Sequence, residues 1–495
     1  MVPASSASSH RLSPRDYLAL AVASLAGMAL YLASSSAVYR LGFPLDDSWI
    51  HATYARNLAV NGDWAFQLGQ RSAGSTAPFW TLLLVPGYSV GLAPLFWSYV
   101  LGLLTLIALG TIVEIALRRL TVTYRPKIPW FGLFLCLEWH MLWAAASGME
   151  TLTHATIATL IIATLISGSR RYALLGLLVG VSVWIRPDGL TLIGPVVAVL
   201  LLEPADRPRR VWNLIGFAIG FGALFVPYIC FNLWLSGTPM PNTFYAKQAE
   251  YTAWQARAFI PRLGSGLLQL STGPFVLLWP GLVYSALRVV RSRNVALGAS
   301  ILWCIGYVLI YAARLPAYQH GRYLMPAMPV LILFGFLGLL SITEQVRPAN
   351  SRRILLSVWQ ASLAVVSVAF VVLGARAYAA DVAWIESEMV DTARWSVSHL
   401  PTRAVLAAHD IGALGYFDSH KLVDLAGLVS PEVIPFIRDE TRLAALLDDR
   451  KVGYLIAFPS LYPRLAADSR VVHTSGGRFS PPDLGSMTIY CWRCR

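Results

Sequence analysis

Three acidic residues have the character of a general base or of a metal ligand. Asp46 and Asp47 are adjacent in the segment Phe43-Pro-Leu-Asp-Asp-Ser-Trp-Ile50, and Glu150 stands in a later polar segment. Adjacent carboxylates repel each other, so near a membrane surface they either bind a cation or have raised pKa values. Either state suits a general base or a ligand for a metal ion. The alternative is structural, with the two aspartates capping a solvated helix that begins near Ser48.

Several basic residues provide the complementary charge. Lys247 lies in a polar segment, and His320 and Arg322 lie in Tyr318-Gln-His-Gly-Arg-Tyr323. The charge pattern described below places these segments at the outer membrane face, where cations are less common and indicate a bound anion. The alternative is that the side chains reach toward lipid head groups. Arg56, near the acidic pair, either binds phosphate or positions its loop.

These residues belong to a chain with the composition of a membrane protein. Of its 495 residues, 56% are hydrophobic and only 13% are charged, and the mean hydropathy is +0.58. Soluble domains average about 45–50% apolar and about 25% charged residues. The composition therefore excludes a soluble cytosolic enzyme, a disordered chain and a small disulfide scaffold. It predicts a polytopic α-helical membrane protein with a small water-exposed domain.

Apolar segments of roughly membrane-spanning length recur along most of the chain. The segment 79–92 is short and contains Pro86-Gly87, which predicts an interfacial or re-entrant helix at the outer face. The other apolar segments predict about eleven transmembrane helices, at 17–33, 94–117, 128–147, 151–167, 172–186, 189–202, 213–235, 273–287, 295–313, 324–342 and 354–375.

The distribution of basic residues predicts the orientation of these helices. Cytoplasmic loops of membrane proteins carry an excess of Lys and Arg. Every second loop of this chain is basic, through Arg118, Arg119, Arg125, Lys127, Arg170, Arg171, Arg207, Arg209, Arg210, Arg288, Arg291, Arg293, Arg347, Arg352 and Arg353. We therefore assign these loops to the cytoplasm, and an odd number of spans places the C-terminal part outside. Because topology explains the net charge of +13, the charge does not indicate nucleic-acid binding.

The chain is predicted to have two parts. Residues 1–375 form a transmembrane module, in which the outer loop 38–93 carries the acidic pair. Residues 376–495 are mixed in charge and alternate strand-like runs, such as 405–408, with helical stretches. This alternation predicts a small extracytoplasmic α/β domain.

The polar segments, taken in order, resemble those of a known family. The first reads Asp46-Asp-Ser-Trp-Ile-His-Ala-Thr-Tyr-Ala-Arg56-Asn-Leu and is followed by Gly74-Ser-Thr-Ala-Pro-Phe-Trp80. The later ones, which extend over nearly the whole chain, are Ser147-Gly-Met-Glu150, Arg186-Pro-Asp-Gly189, Pro241-Asn-Thr, His320-Gly-Arg-Tyr323 and His409-Asp-Ile-Gly-Ala-Leu-Gly-Tyr416. In these segments the chain resembles bacterial GT-C membrane glycosyltransferases, the superfamily of protein mannosyltransferases, aminoarabinose transferases and arabinofuranosyltransferases.

The resemblance implies an enzyme of the inner (cytoplasmic) membrane that acts at its outer face. Such an enzyme moves a sugar from a polyprenyl-phosphate donor to a glycan, lipid or protein acceptor of the cell envelope. By resemblance Asp46 is the general base, although the order of Asp46 and Asp47 could be reversed. Asp47 and Glu150 are then supporting acids or ligands of a divalent cation, Mg²⁺ or Mn²⁺, which some members of the family use.

The resemblance also implies a site for the donor phosphate. Lys247 and Arg322 are expected to hold it, with His320 and Arg56 as further phosphate-binding candidates. The chemistry agrees, because sugar transfer to a hydroxyl needs a base on one side of C1 and a stabilised leaving group on the other. The inner loops contain no glycine-rich phosphate-binding segment that would indicate a nucleotide-sugar donor.

Two other functions fit a polytopic membrane protein. A transporter or flippase for a lipid-linked saccharide would place its charges near the membrane midplane, often within internal repeats. Here the charged clusters are predicted at one face, and the sequence contains no visible repeat. A non-catalytic scaffold that presents its C-terminal domain to partners would leave the Asp46-Asp47 pair and Arg322 without a purpose.

Overall fold

The computed structural model describes residues 12–121 and 126–494, so Arg125 of the basic loops lies outside the described residues. The helices before residue 203 are α1 (Pro14–Val38), α2 (Asp47–Asn61), α3 (Pro78–Ser89), α4 (Pro94–Leu120), α5 (Trp130–Cys136), α6 (Trp139–Ala146), α7 (Thr151–Ile166), α8 (Tyr172–Ile185) and α9 (Ile193–Leu202), with a 3₁₀ helix at Pro187–Leu192. A short antiparallel hairpin, β1 (Ala65–Gln67) and β2 (Gln70–Arg71), lies between α2 and α3.

The chain between residues 203 and 400 is also mainly helical. Its helices are α10 (Arg207–Ser236), α11 (Asn242–Glu250), α12 (Thr252–Gln255), α13 (Phe259–Ser271), α14 (Trp279–Ser292), α15 (Val295–Arg314), α16 (Met328–Glu344) and α17 (Ala349–Ile385), with 3₁₀ helices at Pro274–Leu278 and Met325–Ala327. A π-helical turn, Glu386–Val390, connects α17 to α18 (Asp391–His399). This continuous helical segment leads from the membrane module into the C-terminal region.

Seven helical segments among the described residues are long and apolar enough to cross a membrane. They are Pro14–Val38, Pro94–Leu120, Arg207–Ser236, Pro274–Ser292, Val295–Arg314, Met325–Glu344 and Ala349–His399. Three further apolar helices, Thr151–Ile166, Tyr172–Ile185 and Pro187–Leu202, are shorter. The predicted helical membrane protein is confirmed at this level, whereas the number of eleven spans stays a prediction.

Small residues allow the helices to pack closely. A Cβ atom at Gly220 of α10 would lie 2.1 Å from the carbonyl oxygen of Ala173, at the start of α8. A Cβ atom at Gly176 of α8 would lie 2.3 Å from the carbonyl oxygen of Phe217. Close backbone approach through glycine is common between membrane helices, because van der Waals packing drives their association.

The C-terminal region contains a five-stranded sheet. Its strands are β3 (Val405–Ala408), β4 (Lys421–Asp424), β5 (Tyr454–Ala457), β6 (Arg470–Thr474) and β7 (Thr488–Cys491), and its helices are α19 (Gly412–Phe417), α20 (Glu440–Asp449) and α21 (Pro463–Ala467). The spatial order is β4-β3-β5-β7-β6, with β3 parallel to both of its neighbours and β7 antiparallel to both of its own. Buried apolar side chains of α20 and the sheet form a separate core.

The sheet region is attached to the outer loop by side chains that bind its backbone. Arg56 of α2 donates to the carbonyl oxygens of Tyr416 and Gly415, at 2.5 and 3.3 Å. The Gln67 amide donates to the carbonyl of Leu422 and accepts from its N–H, at 2.7 and 3.1 Å. These bonds hold the sheet region against the loop that carries the acidic pair.

Candidate active site

A cavity of about 440 Å³ lies between the outer loop, α11, the turn before α16 and the sheet region. Five of the seven predicted site residues line it, namely Asp46, Asp47, Glu150, Lys247 and Arg322. Its wall also includes charged and aromatic residues for which no role was predicted, among them Arg186, Asp188, Glu250, Arg314, Tyr323, His409 and Asp410. The structure thus brings together acids and cations that are widely separated along the chain.

The two adjacent aspartates have different surroundings. Asp46 is 8% exposed, and its carboxylate accepts hydrogen bonds from the N–H groups of Gly412 and Ala413, at 2.6 and 2.8 Å. The backbones approach so closely here that a Cβ atom at Gly412 would lie 2.0 Å from the Asp46 carbonyl oxygen. Burial, together with the nearby charge of Asp410, raises the pKa of Asp46 to about 7. Asp46 therefore joins the outer loop to the sheet region.

Asp47 faces the cavity. Its side chain is 38% exposed, and its Oδ2 atom lies 3.0 Å from Nη2 of Arg322. Burial alone would raise the pKa of Asp47, but the positive charges of Lys247 and Arg322 hold it below its usual value. Asp47 is therefore an ionised carboxylate that can accept a proton from a molecule in the cavity.

Glu150, at the start of α7, belongs to a separate network of charges. Nη1 of Arg186 lies 2.7 Å from one oxygen of Glu150, and Nε of Arg186 lies 3.0 Å from Asp188. The hydroxyl groups of Tyr307 and Tyr311 donate to Asp188. Burial would raise the pKa of Glu150, but His51 and Arg186 lower it well below its usual value. In the sequence, Arg186 and Asp188 were indicated only by their place in the polar segment Arg186-Pro-Asp-Gly189.

Lys247 and Arg322 meet at the hydroxyl group of Tyr323. Lys247 Nζ donates to this oxygen at 2.7 Å, and Arg322 Nη2 donates to it at 3.0 Å. Arg322 is only 2% exposed, yet its Nε and Nη1 atoms have no hydrogen-bond partner among the described residues. Buried donors without partners are costly, so this part of the cavity suits an anion that would accept from them.

His320 and Arg56, the other two predicted phosphate ligands, do not line the described part of the cavity. Arg56 binds the backbone of the sheet region, as given above. The His320 ring is 2.8 Å from Asp381 of α17 and lies edge-on to Trp139 and Trp143. Although His320 is only two residues from Arg322, the two side chains have different partners.

A turn of unusual backbone conformation separates these two side chains. Gln319, His320 and Gly321 have positive φ angles of 54°, 56° and 69°. Non-glycine residues rarely adopt such angles, and where they do the surrounding structure must hold them. The hydrogen bond between His320 and Asp381 helps to hold this turn, and it directs the His320 ring toward α17.

Asp47 and Glu150 were predicted as possible ligands of a divalent cation. Among residues 12–121 and 126–494, no group of three or more His, Cys, Asp or Glu side chains is arranged to hold a metal ion. The two proposed ligands, Asp47 and Glu150, are each paired with a different arginine. No chemical step below depends on a divalent cation.

Comparisons with known proteins identify the fold. The profile of a domain of unknown function (DUF8728) matches residues 376–490, and no curated protein matches the sequence significantly. One similar structure is the crystal structure of ArnT from Cupriavidus metallidurans bound to undecaprenyl phosphate. The two sequences are 17% identical, and the structures superpose with a TM-score of 0.58 over 97% of this chain and 98% of that one. The oligosaccharyltransferase of Archaeoglobus fulgidus is 12% identical, with a TM-score of 0.58 over 91% of this chain and 70% of that one.

A third similar structure is the arabinofuranosyltransferase AftD from Mycobacteria, which is 16% identical with a TM-score of 0.51. It covers 98% of this chain, which corresponds to 42% of that protein. These proteins are GT-C glycosyltransferases. The chain therefore has the GT-C fold, as its polar segments predicted, and at these identities the likeness establishes the fold alone.

Replacing Asp46 by Asn is expected to destabilise the protein. An Asn side chain has a single acceptor oxygen, so one of the N–H groups of Gly412 and Ala413 would face an amide N–H₂ group. A buried donor without a partner costs about 1–3 kcal/mol. The thermal unfolding temperature of purified protein should fall more for Asp46→Asn than for Asp47→Asn, whose side chain faces the cavity. Equal unfolding temperatures would show that the contact between Asp46 and the sheet region contributes little.

The stability of the wild type and that of the Asp46→Asn variant are expected to depend differently on pH. Folding raises the pKa of Asp46 to about 7, so the folded state binds this proton more tightly than the unfolded chain does. The contribution of Asp46 to stability is therefore lost as the pH rises through about 7. In the Asp46→Asn variant this part of the pH dependence should be absent.

Proposed function

We propose that the protein is a glycosyltransferase that takes a sugar from a polyprenyl-phosphate donor and transfers it to an acceptor hydroxyl group. The main support is one observation. An ionised carboxylate, Asp47, lies in the same cavity as two cations, Lys247 and Arg322, and the second has unpaired donor atoms. The GT-C fold agrees with this proposal, and the similar ArnT structure was determined with undecaprenyl phosphate.

The proposed roles follow from the contacts. Arg322 and Lys247 bind the donor phosphate. The phosphate accepts hydrogen bonds from Nε and Nη1 of Arg322, which are otherwise unpaired. Asp47 is the general base, in preference to Asp46, because both oxygens of Asp46 are bound to backbone N–H groups. Glu150 is a supporting acid that orients Arg186 at the cavity wall.

The reaction can then be written as a single displacement. Asp47 takes the proton of the acceptor hydroxyl, and the acceptor oxygen forms a bond to C1 of the sugar. The bond between C1 and the phosphate oxygen breaks, and its electron pair stays on polyprenyl phosphate. Lys247 and Arg322 stabilise the negative charge that develops on this leaving group.

The proposal can be tested with purified protein in detergent. Synthetic short-chain polyprenyl phosphosugars serve as donors, and both released polyprenyl phosphate and labelled product are measured. Parallel reactions contain nucleotide sugars, or a chelator to decide whether Mg²⁺ or Mn²⁺ is needed. Transfer from nucleotide sugars alone would contradict the proposal. Movement of the lipid-linked sugar across proteoliposome membranes without transfer would favour a transporter or flippase.

We further propose that residues 1–375 form the transmembrane module and residues 376–495 an extracytoplasmic domain, in the inner membrane of a cell. A reporter fused after Arg495 should be active outside the cell, and one fused near Arg209 should be active inside. The basic loops support this orientation, since Lys and Arg are retained in the cytoplasm. Reversal of either reporter result would move every proposed site residue to the wrong side of the membrane.

A further inference from the structure

The sheet region forms one wall of the cavity, and the mechanism above gives this wall no role. Residues that follow β3, including His409 and Asp410, and residues that follow β4, including Ala426 and Leu428, line the cavity. The parallel strands β3 and β4 are neighbours, so both end at the same edge of the sheet. In α/β sheets this edge, at the carboxyl ends of the strands, is where ligands generally bind.

Asp410 differs from the other acids of the cavity wall. Asp46 binds backbone N–H groups, Asp47 binds Arg322, Glu150 and Asp188 bind Arg186, and Glu250 binds His409 and Arg438. Within the described ranges, the Asp410 side chain has neither a hydrogen bond nor an ion pair, although it is partly buried. A carboxylate at a cavity wall that no protein group occupies has all of its acceptor sites available to a ligand.

A second observation also indicates a ligand in this cavity. Arg322 is 2% exposed, and two of its donor atoms have no partner among the described residues. The cavity therefore has unpaired donors on the side of Arg322 and an unpaired acceptor on the side of Asp410. A bound pair of substrates would satisfy both, with an anion at Arg322 and hydrogen-bond donors at Asp410.

The backbone of Asp410 is held in place by its neighbour. His409 Nε2 lies 3.4 Å from Glu250 at the end of α11, and His409 Nδ1 is hydrogen-bonded to the hydroxyl of Tyr462 at 2.8 Å. These contacts fix the end of β3 between α11 and the sheet region. The Asp410 carboxylate is thus presented to the cavity by a rigid element, as a specific binding group requires.

We propose that Asp410 binds the acceptor, and that the acceptor is a neutral saccharide whose hydroxyl groups donate to this carboxylate. The inference rests on the proposed glycosyltransferase function and adds the class of acceptor. An ionised carboxylate only accepts hydrogen bonds, and those from hydroxyl groups are short and strong. A saccharide offers a second hydroxyl beside the one that Asp47 deprotonates, whereas a serine or threonine side chain offers a single hydroxyl.

The acids on this side of the cavity disfavour an anionic acceptor beside Asp410. Asp46, Asp47, Glu250 and Asp410 all line the cavity, and like charges at close range raise the energy of a bound anion. Burial and the negative charges of Glu250 and Asp47 raise the pKa of Asp410, against the opposing effect of His409. A phosphorylated or carboxylated saccharide would meet the same repulsion at this side of the cavity.

The test compares acceptors in the purified transfer assay. Octyl glycosides of neutral hexoses and pentoses are compared with the same glycosides carrying a phosphate, and with a serine-containing peptide. Neutral glycosides should be the better acceptors, and Asp410→Asn should raise the acceptor KM about tenfold or more, since hydrogen bonds to charged groups are strong. The affinity for the donor should be unchanged, and Asp410→Glu should recover part of the acceptor affinity.

A matched control and a substrate series keep the two proposals distinguishable. Asp483→Asn changes an exposed acid of the same region, so the acceptor KM should not change. Glycosides that lack the hydroxyl next to the acceptor position should show no difference between wild type and Asp410→Asn. If wild type transfers sugar but Asp410→Asn leaves the acceptor KM unchanged, the inference is wrong and the proposed function stands. It is also wrong if phosphorylated glycosides or the peptide are used as well as neutral ones, or if wild type transfers sugar but uses no neutral glycoside.

Discussion

Replacing Asp47 by Asn is expected to give a folded protein that binds the donor but transfers sugar at least about 10²-fold more slowly, because general base catalysis typically contributes 10²–10⁴-fold. The Asn side chain has nearly the same size, so the cavity keeps its shape. It cannot accept the proton of an acceptor hydroxyl at neutral pH. The rate is measured with a short-chain polyprenyl phosphosugar and saturating acceptor, and donor binding is measured separately.

Asp46→Asn is the informative control for this prediction. If Asp46 holds the sheet region and Asp47 is the base, Asp46→Asn should lower stability more and the rate constant less than Asp47→Asn does. A larger rate loss for Asp46→Asn at equal stability would assign the base to Asp46, as the resemblance first suggested. Unchanged transfer by both variants would mean that the acidic pair is structural and that the active site lies elsewhere.

Replacing Arg322 by Gln is expected to weaken donor binding about 10- to 100-fold, because hydrogen bonds to charged groups contribute about 1.5–3 kcal/mol each. Gln keeps a hydrogen-bond donor near Tyr323 but removes the positive charge and the unpaired Nε and Nη1 donors. Binding of a polyprenyl phosphate analogue by purified protein measures the effect. Arg291→Ala is the matched control, since Arg291 is an exposed arginine of a basic loop predicted to be cytoplasmic.

The same variant should change the pH dependence of transfer. Lys247 and Arg322 hold the pKa of Asp47 below its usual value, so in wild type the base stays ionised to low pH. Without the charge of Arg322 the carboxylate is less stabilised, its pKa rises, and activity should be lost at a higher pH on the acid side of the profile. Equal donor affinities for Arg322→Gln and Arg291→Ala would instead show that Arg322 does not bind the donor phosphate.

The architecture was largely predictable from sequence because the membrane imposes simple rules. Long apolar runs must form helices, since a lipid environment leaves backbone groups no other partners. The polar segments also carried enough information to predict the GT-C fold. The exact number of transmembrane spans was harder to predict. Segments such as Thr151–Ile166 and Tyr172–Ile185 are so short that length and composition do not decide whether they cross the membrane.

Residues of the candidate site were predicted individually more readily than their partners were. An acid or a cation in a polar segment is visible in the sequence, and five of the seven predicted residues line one cavity. The sequence could not show that Arg186 pairs with Glu150, or that Asp410 enters the cavity without a partner. Those facts depend on contacts between residues that are far apart along the chain.

The sequence by itself determined that this chain is a helical membrane protein with the GT-C fold and with acids and cations among its polar segments. Only the tertiary structure distinguished Asp46 from Asp47 and His320 from Arg322. Asp46 is bound by Gly412 and Ala413, more than 360 residues away, and a turn with positive φ angles separates His320 from Arg322. Composition and hydropathy act locally along the chain, whereas the partner of a charged side chain depends on which distant backbone and side-chain groups the fold places beside it.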